Sequence, residues 1–225
     1  MQVMGYEVLF NGKNMERILV GLGVTLEIAV FSVLISMIVG TIFGVIMSSK
    51  NRLVVLIGRI YIETIRIIPI LVWLFIFYFG LTKLIGVHID SFIISVVVFS
   101  MWGVAEMGDI VRGAITSIPK HQIESGRAIG LRDIQIYMYI IIPQSIKRMI
   151  PSAINLTTRM IKTTSLVALI GVIEVLKVGQ QIIESSLFNN PSAPLWVYAF
   201  ISGLYFIICF PVSTLSKKLE TRWGD

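Results

Sequence analysis

A helix that crosses a bilayer needs about 20 consecutive, mostly apolar residues, because lipid offers no hydrogen-bond partner to an open backbone. Five stretches of this chain meet that demand: 18–48, 53–84, 89–115, 146–170 and 195–215. They account for more than half of the 225 residues. Only 14% of the residues are charged and 56% are hydrophobic, against roughly one quarter charged in soluble domains. The expected fold is therefore an all-α integral membrane protein of five transmembrane helices, one membrane domain over 1–225. The stretch 119–137 is too polar to span. The residues before the first span are mixed polar, and the apolar run after them is longer than a signal-peptide core, so no cleaved leader is expected.

The formal net charge of +6 has to be read against these spans. Eleven basic residues, among them Lys50, Arg52, Arg112, Lys120, Arg127, Lys147 and Arg148, fall on one set of loops and the span ends beside them. Four fall on the other: Lys13, Arg17, Lys83 and Lys177. Positive charge gathers on the cytoplasmic side. The amino terminus is then outside and the carboxyl terminus in the cytoplasm, and the charge speaks for topology rather than for nucleic acid. Cys209 is the single cysteine, and His88 and His121 lie in different loops. No disulfide, zinc cluster or other metal site is expected. No glycine-rich phosphate loop with a following lysine is present, so the chain is not expected to hydrolyse ATP, and no catalytic residues are assigned.

The most specific pattern follows the third span. Glu124-Ser125-Gly126 is followed by Gly130 and, after nine intervening residues, by Ile140-Ile141-Ile142-Pro143. This resembles the EAA loop of binding-protein-dependent ABC importer permeases, with Ser125 and Gly126 for two alanines and Ile142 for leucine. A short helix over 122–129 can end at Gly130, free to turn left-handed. A second can start near Asp133, and Pro143 favours a break before the fourth span. Gln122, Glu124, Gly126, Gly130 and Pro143 are the expected ATPase-coupling residues of a loop at about 119–143.

Other segments resemble the polar amino acid branch of these permeases, the histidine, glutamate, glutamine, arginine and opine type. They are Gly21-Leu22-Gly23-Val24-Thr25-Leu26, Tyr61-Ile62-Glu63 with Arg66 and Pro69, Asp109-Ile110-Val111-Arg112-Gly113, and Lys162-Thr163-Thr164-Ser165-Leu166. The resemblance implies a type I ABC importer (MetI-like) fold with cytoplasmic coupling helices, in a bacterial inner membrane. It also implies the partners: two cytoplasmic ABC ATPase subunits using ATP and magnesium, a second permease copy or sister chain, and an external substrate-binding protein docking near 171–194. A self-contained channel, an intramembrane enzyme and an importer for another small polar solute are the competing readings.

Ionisable residues inside spans are costly and are functional candidates by default. Glu63 and Arg66 stand three apart and are expected to share a face as a pair or a substrate contact. Arg159 and Lys162, with Thr164 and Ser165, form a polar patch suited to a substrate carboxylate. Glu106 and Asp109 could answer those cations. Glu106 stands where the resembled family usually has an aromatic residue, so an additional acid would suit a substrate with an amino group beyond its α-amine. Gly40 and Gly44 form a GxxxG, expected to pack within the chain rather than between subunits.

Overall fold

Residues 5–223 are described in a computed structural model of the chain. The reading of one domain over 1–225 extends beyond them at both ends. A single turn, α1 (Glu7–Phe10), precedes α2 (Asn14–Met47), the longest helix. α2 is apolar on every side, with Phe31, Leu34, Ile38, Ile42 and Val45 exposed, as a helix in contact with lipid must be. Asn51 then caps α3 (Arg52–Ile67), its side chain accepting from the amides of Leu53 and Val54.

The second expected span, 53–84, is not one straight helix. Ile68 is extended because the ring of Pro69 excludes the helical conformation of the residue before it. The chain bends there by 94° into α4 (Ile70–Phe75), a π-helical turn (Ile76–Leu81) and α5 (Thr82–Ile85). Gly86 ends the run with φ +72°. α6 (Ser91–Thr116) is the third span. Pro119 opens α7 (Lys120–Ala128), and Gly130, at φ +84°, turns the chain into α8 (Asp133–Ile136).

The break expected at Pro143 is absent. α8 runs through a π turn (Tyr137–Ile141) into α9 (Ile142–Thr163). The amide of Ile142 donates to the carbonyl of Tyr137, five residues back. The wider turn takes up the ring and the missing amide that would break an α-register. α9 tightens into a 3-10 segment (Thr164–Ile170), Gly171 turns left-handed, and the chain bends by 50° into α10 (Val175–Ser186). α11 (Ala193–Trp223) is the last helix. Among the described residues, three helices, α2, α6 and α11, are long and apolar enough to cross a membrane, and there are up to five spans if each bent pair counts as one.

Contacts divide the chain into two compact units. One holds residues through Ser32, with Ile70–Phe99 and Arg159–Pro211. Its core sets Ile18 of α2 against Val175, Val178 and Ile182 of α10 and Val197 and Ile201 of α11. The other holds Val33–Pro69, Ser100–Thr158 and the residues from Val212. There Met107 and Val111 of α6 pack on Ala153 and Leu156 of α9. The GxxxG of α2 packs inside this unit, Gly40 against Met107 and Gly44 against Val111. A side chain on Gly44 would come within 2.5 Å of the Gly108 carbonyl.

Candidate functional site

In the second unit, α3 and α6 are joined by charge. Arg66 Nε donates to Glu106 Oε1 at 2.6 Å, and its Nη1 donates to Asp109 Oδ2 at 2.9 Å. Arg112, one turn beyond Asp109, donates to its other oxygen at 2.7 Å. The Tyr61 hydroxyl fixes the same helix pair by donating to the Met101 carbonyl at 2.8 Å. Arg66 therefore pairs across to α6 and not along α3 with Glu63. The reason is geometric. Acids three apart on α6 give one guanidinium two charge-assisted partners. The acid supplied by Glu106 is thus already held by a cation. Its side chain is 10% exposed, that of Arg66 37%.

Polar residues recur along one side of α3 and of α9. Arg52, Arg59, Glu63 and Arg66 are exposed on α3 at helical spacing. On α9, Arg148, Ser152 and Asn155 are exposed in the same unit, and Arg159 and Lys162 continue that spacing into the first unit. Charged faces of spanning helices look onto water-filled cavities or partner helices, not onto lipid. Arg59 lies within the second span and Asn155 within the fourth-span pattern that resembles the polar amino acid permeases, but neither carries a site assignment from the sequence, and Ser152 stands in no sequence pattern. The period of about 3.6 in polar residues along α3 and α9 was the signal that would have found them.

Around Lys162, Ser165 donates to the Lys162 carbonyl at 3.0 Å and Thr163 to that of Arg159 at 2.8 Å. Thr164 is fully buried and donates to the Ile161 carbonyl at 2.7 Å. Lys162 is exposed and, among the described residues, forms no salt bridge.

The loop after α6 is a compact hairpin on its own small core of Ile118, Ile136 and Ile141. Gly126 is buried, and a side chain there would press on Ile136 and Ile140. Gln144 Nε2 donates to Gln122 Oε1 at 2.6 Å, which ties α7 to α9. Arg127 and Asp133 pair at 3.1 Å across the Gly130 corner. Glu124 and Pro143 are exposed. A recess of about 340 Å³ opens beside the hairpin, lined by Lys50, Lys120, Glu124, Arg127 and Asp133 among others. Among the described residues, no group of three or more His, Cys, Asp or Glu side chains could hold a metal.

The family model described as "Binding-protein-dependent transport system inner membrane component" matches residues 40–225. The chain belongs to that family. It is 32% identical to the probable amino-acid ABC transporter permease protein YckA of Bacillus subtilis (strain 168), over 97% of this chain and 96% of that one. It is 28% identical to the octopine transport system permease protein OccM of Rhizobium radiobacter, over 96% and 90%. A crystal structure described as an amino acid ABC transporter with histidines superposes with a TM-score of 0.86 at 26% identity, covering 99% of this chain and 100% of that one. The MetNI methionine ABC transporter, at 17% identity, covers 91% and 97% with a TM-score of 0.68 and shares the fold. The fold is the all-α type I ABC importer permease fold, and the chain is a multi-pass inner-membrane transport subunit rather than an enzyme. Membership in the family implies ATPase and binding-protein partners.

Proposed function

We propose that this permease forms the translocation path for a polar amino acid or close analogue. The observation that carries the reading is the polar stripe on α3 and α9, charged faces that no lipid-facing helix of this length would keep. The amino-acid names of the similar permeases support the substrate class. Two cytoplasmic ATPase subunits hydrolyse ATP with magnesium, and α7 docks on one of them through its face bearing Glu124. Gln122 and Gly126 hold that helix rigid, Gly130 stops it, and Pro143 marks the start of the span it moves. A second permease, identical or homologous, completes the path, and an external binding protein docks on 171–194. The amino terminus lies outside and the carboxyl terminus in the cytoplasm.

A substrate carboxylate leaving water needs a cation, since an unpaired charge in a low-dielectric path is costly. Lys162 supplies it, with Arg159 one turn away and Ser165 as a neutral donor. Thr164 supports them from behind. Separately, in the second unit, exposed Glu63 is a candidate contact for an ammonium group, and Arg66, Glu106 and Asp109 form a charge-balanced cluster. The test is transport by Lys162→Met, Arg159→Met and the double variant in the assembled complex. At least one single variant should lose about tenfold in rate, a cost near 1.4 kcal/mol, with binding-protein affinity unchanged. Normal transport by all three would rule out the clamp.

A further inference from the structure

The patterns Gly21 to Leu26 and Lys162 to Leu166 stand far apart in sequence, yet they meet in the first unit around an acid that the path does not use. Glu174 lies in the outer stretch 171–194 and is fully buried. It is the N-cap of α10: Oε1 accepts from the amide of Lys177 at 2.8 Å and Oε2 from that of Leu176 at 3.0 Å. Thr25 of α2, also fully buried, completes the set. Its hydroxyl lies 3.3 Å from Glu174 Oε2 and 3.1 Å from the Gly21 carbonyl, sharing one hydrogen between them. The Thr25 hydroxyl oxygen in turn accepts from the amide of Val175 at 3.3 Å.

The seat is built for close approach. A side chain on Gly21 would sit 2.9 Å from a Val178 methyl and 3.0 Å from the amide nitrogen of Val175. Only glycine lets α10 start this near to α2. The hydroxyl of Tyr205 on α11 is buried beside Thr25 and the buried Thr164. Thr164 begins the 3-10 segment two residues after Lys162. That segment buries Val167, Ala168 and Ile170 and reaches Glu174 through the single corner at Gly171. Between the end of the 3-10 segment and the start of α10 lie only the four residues 171–174.

We infer that Thr25 and Glu174 are positioning residues that carry displacement of the outer helix α10 to the Lys162 end of α9. This rests on the proposal that the binding protein docks on 171–194. When the docked protein moves α10, its cap moves with it, and the Thr25 bond decides whether α2 and the 3-10 segment follow. A group that only held the fold together would affect stability and leave signalling intact. One that positions the path affects the response to docking.

The experiment uses the complete complex of permease, ATPase and binding protein in lipid nanodiscs. Basal and binding-protein-stimulated ATP hydrolysis, melting temperature and binding-protein affinity are measured for Thr25→Val, Thr25→Ser and Glu174→Gln. Thr25→Val keeps the shape and removes the hydroxyl, and the hydrogen bonds lost predict a fall in the stimulation ratio of about threefold to tenfold. Basal hydrolysis and affinity should stay unchanged, and Thr25→Ser should restore the ratio. Glu174→Gln should also lower the ratio, and it decides the matter if Thr25→Val does not assemble. An unchanged ratio in both variants, or an equal fall in Thr25→Val and Thr25→Ser, overturns the inference. A disulfide or bifunctional cross-link from Ser185→Cys, exposed on α10, reports docking separately. A cross-link with an unchanged ratio overturns the positioning role alone, whereas no cross-link overturns the docking reading and the inference with it.

Discussion

Replacing Arg66 by Met should cost the permease stability that a second substitution gives back. The change removes two charge-assisted hydrogen bonds, at 2.6 Å to Glu106 and 2.9 Å to Asp109. Asp109 keeps Arg112, so the damage falls on Glu106, whose side chain is only 10% exposed. Breaking a fully buried pair costs about 3–5 kcal/mol. Arg66 is 37% exposed and water screens it in part, which brings the expected loss to about 1–3 kcal/mol. Glu106→Gln alone should cost less, because the amide oxygen still accepts from the guanidinium. In the double variant the charge on Glu106 is removed together with its cation, and a coupling of about 1–2 kcal/mol should appear in a double-mutant cycle. Denaturation of the purified permease in mild detergent, followed by SDS titration, measures all four corners. Additive single effects would refute the bridge between α3 and α6. So would Arg66→Met with wild-type stability.

Gly130→Val should assemble poorly on the ATPase and lower coupled transport, because φ +84° costs a residue with a side chain about 1–2 kcal/mol and more when β-branched. Wild-type transport would reject the hairpin as the coupling element. A periplasm-reporting fusion at Asn189 should be active, as should a cytoplasm-reporting fusion at Asp225, which lies outside the described residues. The reverse pattern would overturn the orientation.

Local rules made much of this chain legible and long-range ones did not. The five spans come from runs of apolar residues, and α7 with its Gly130 corner comes from a glycine after a short helix. Each needs only neighbouring residues. Pro69 and Pro143 show the limit: both forbid an ideal α-turn, but one bends the chain sharply while the other is absorbed by a π turn, and the surroundings choose. Arg66 was matched to Glu63 because i,i+3 spacing is visible in a sequence. Its actual partners lie 40 and 43 residues away, on a helix whose register no local rule supplies. Glu174 escaped notice for the same reason, since Thr25 is 149 residues from it. The stripe on α3 and α9 was readable in principle. Charge alone does not reveal uncharged Ser152, which with Asn155 completes the period on α9.

We propose that this subunit carries a polar amino acid under the control of ATP and an external binding protein. The most direct test is ATP hydrolysis by the full complex in proteoliposomes, with the binding protein supplied empty or loaded from a panel of polar amino acids and non-amino-acid solutes. The account predicts low hydrolysis with the empty protein, stimulation by at least one polar amino acid, and uptake of that same amino acid. Solute flux without ATP, or stimulation by non-amino-acid solutes alone, would contradict it.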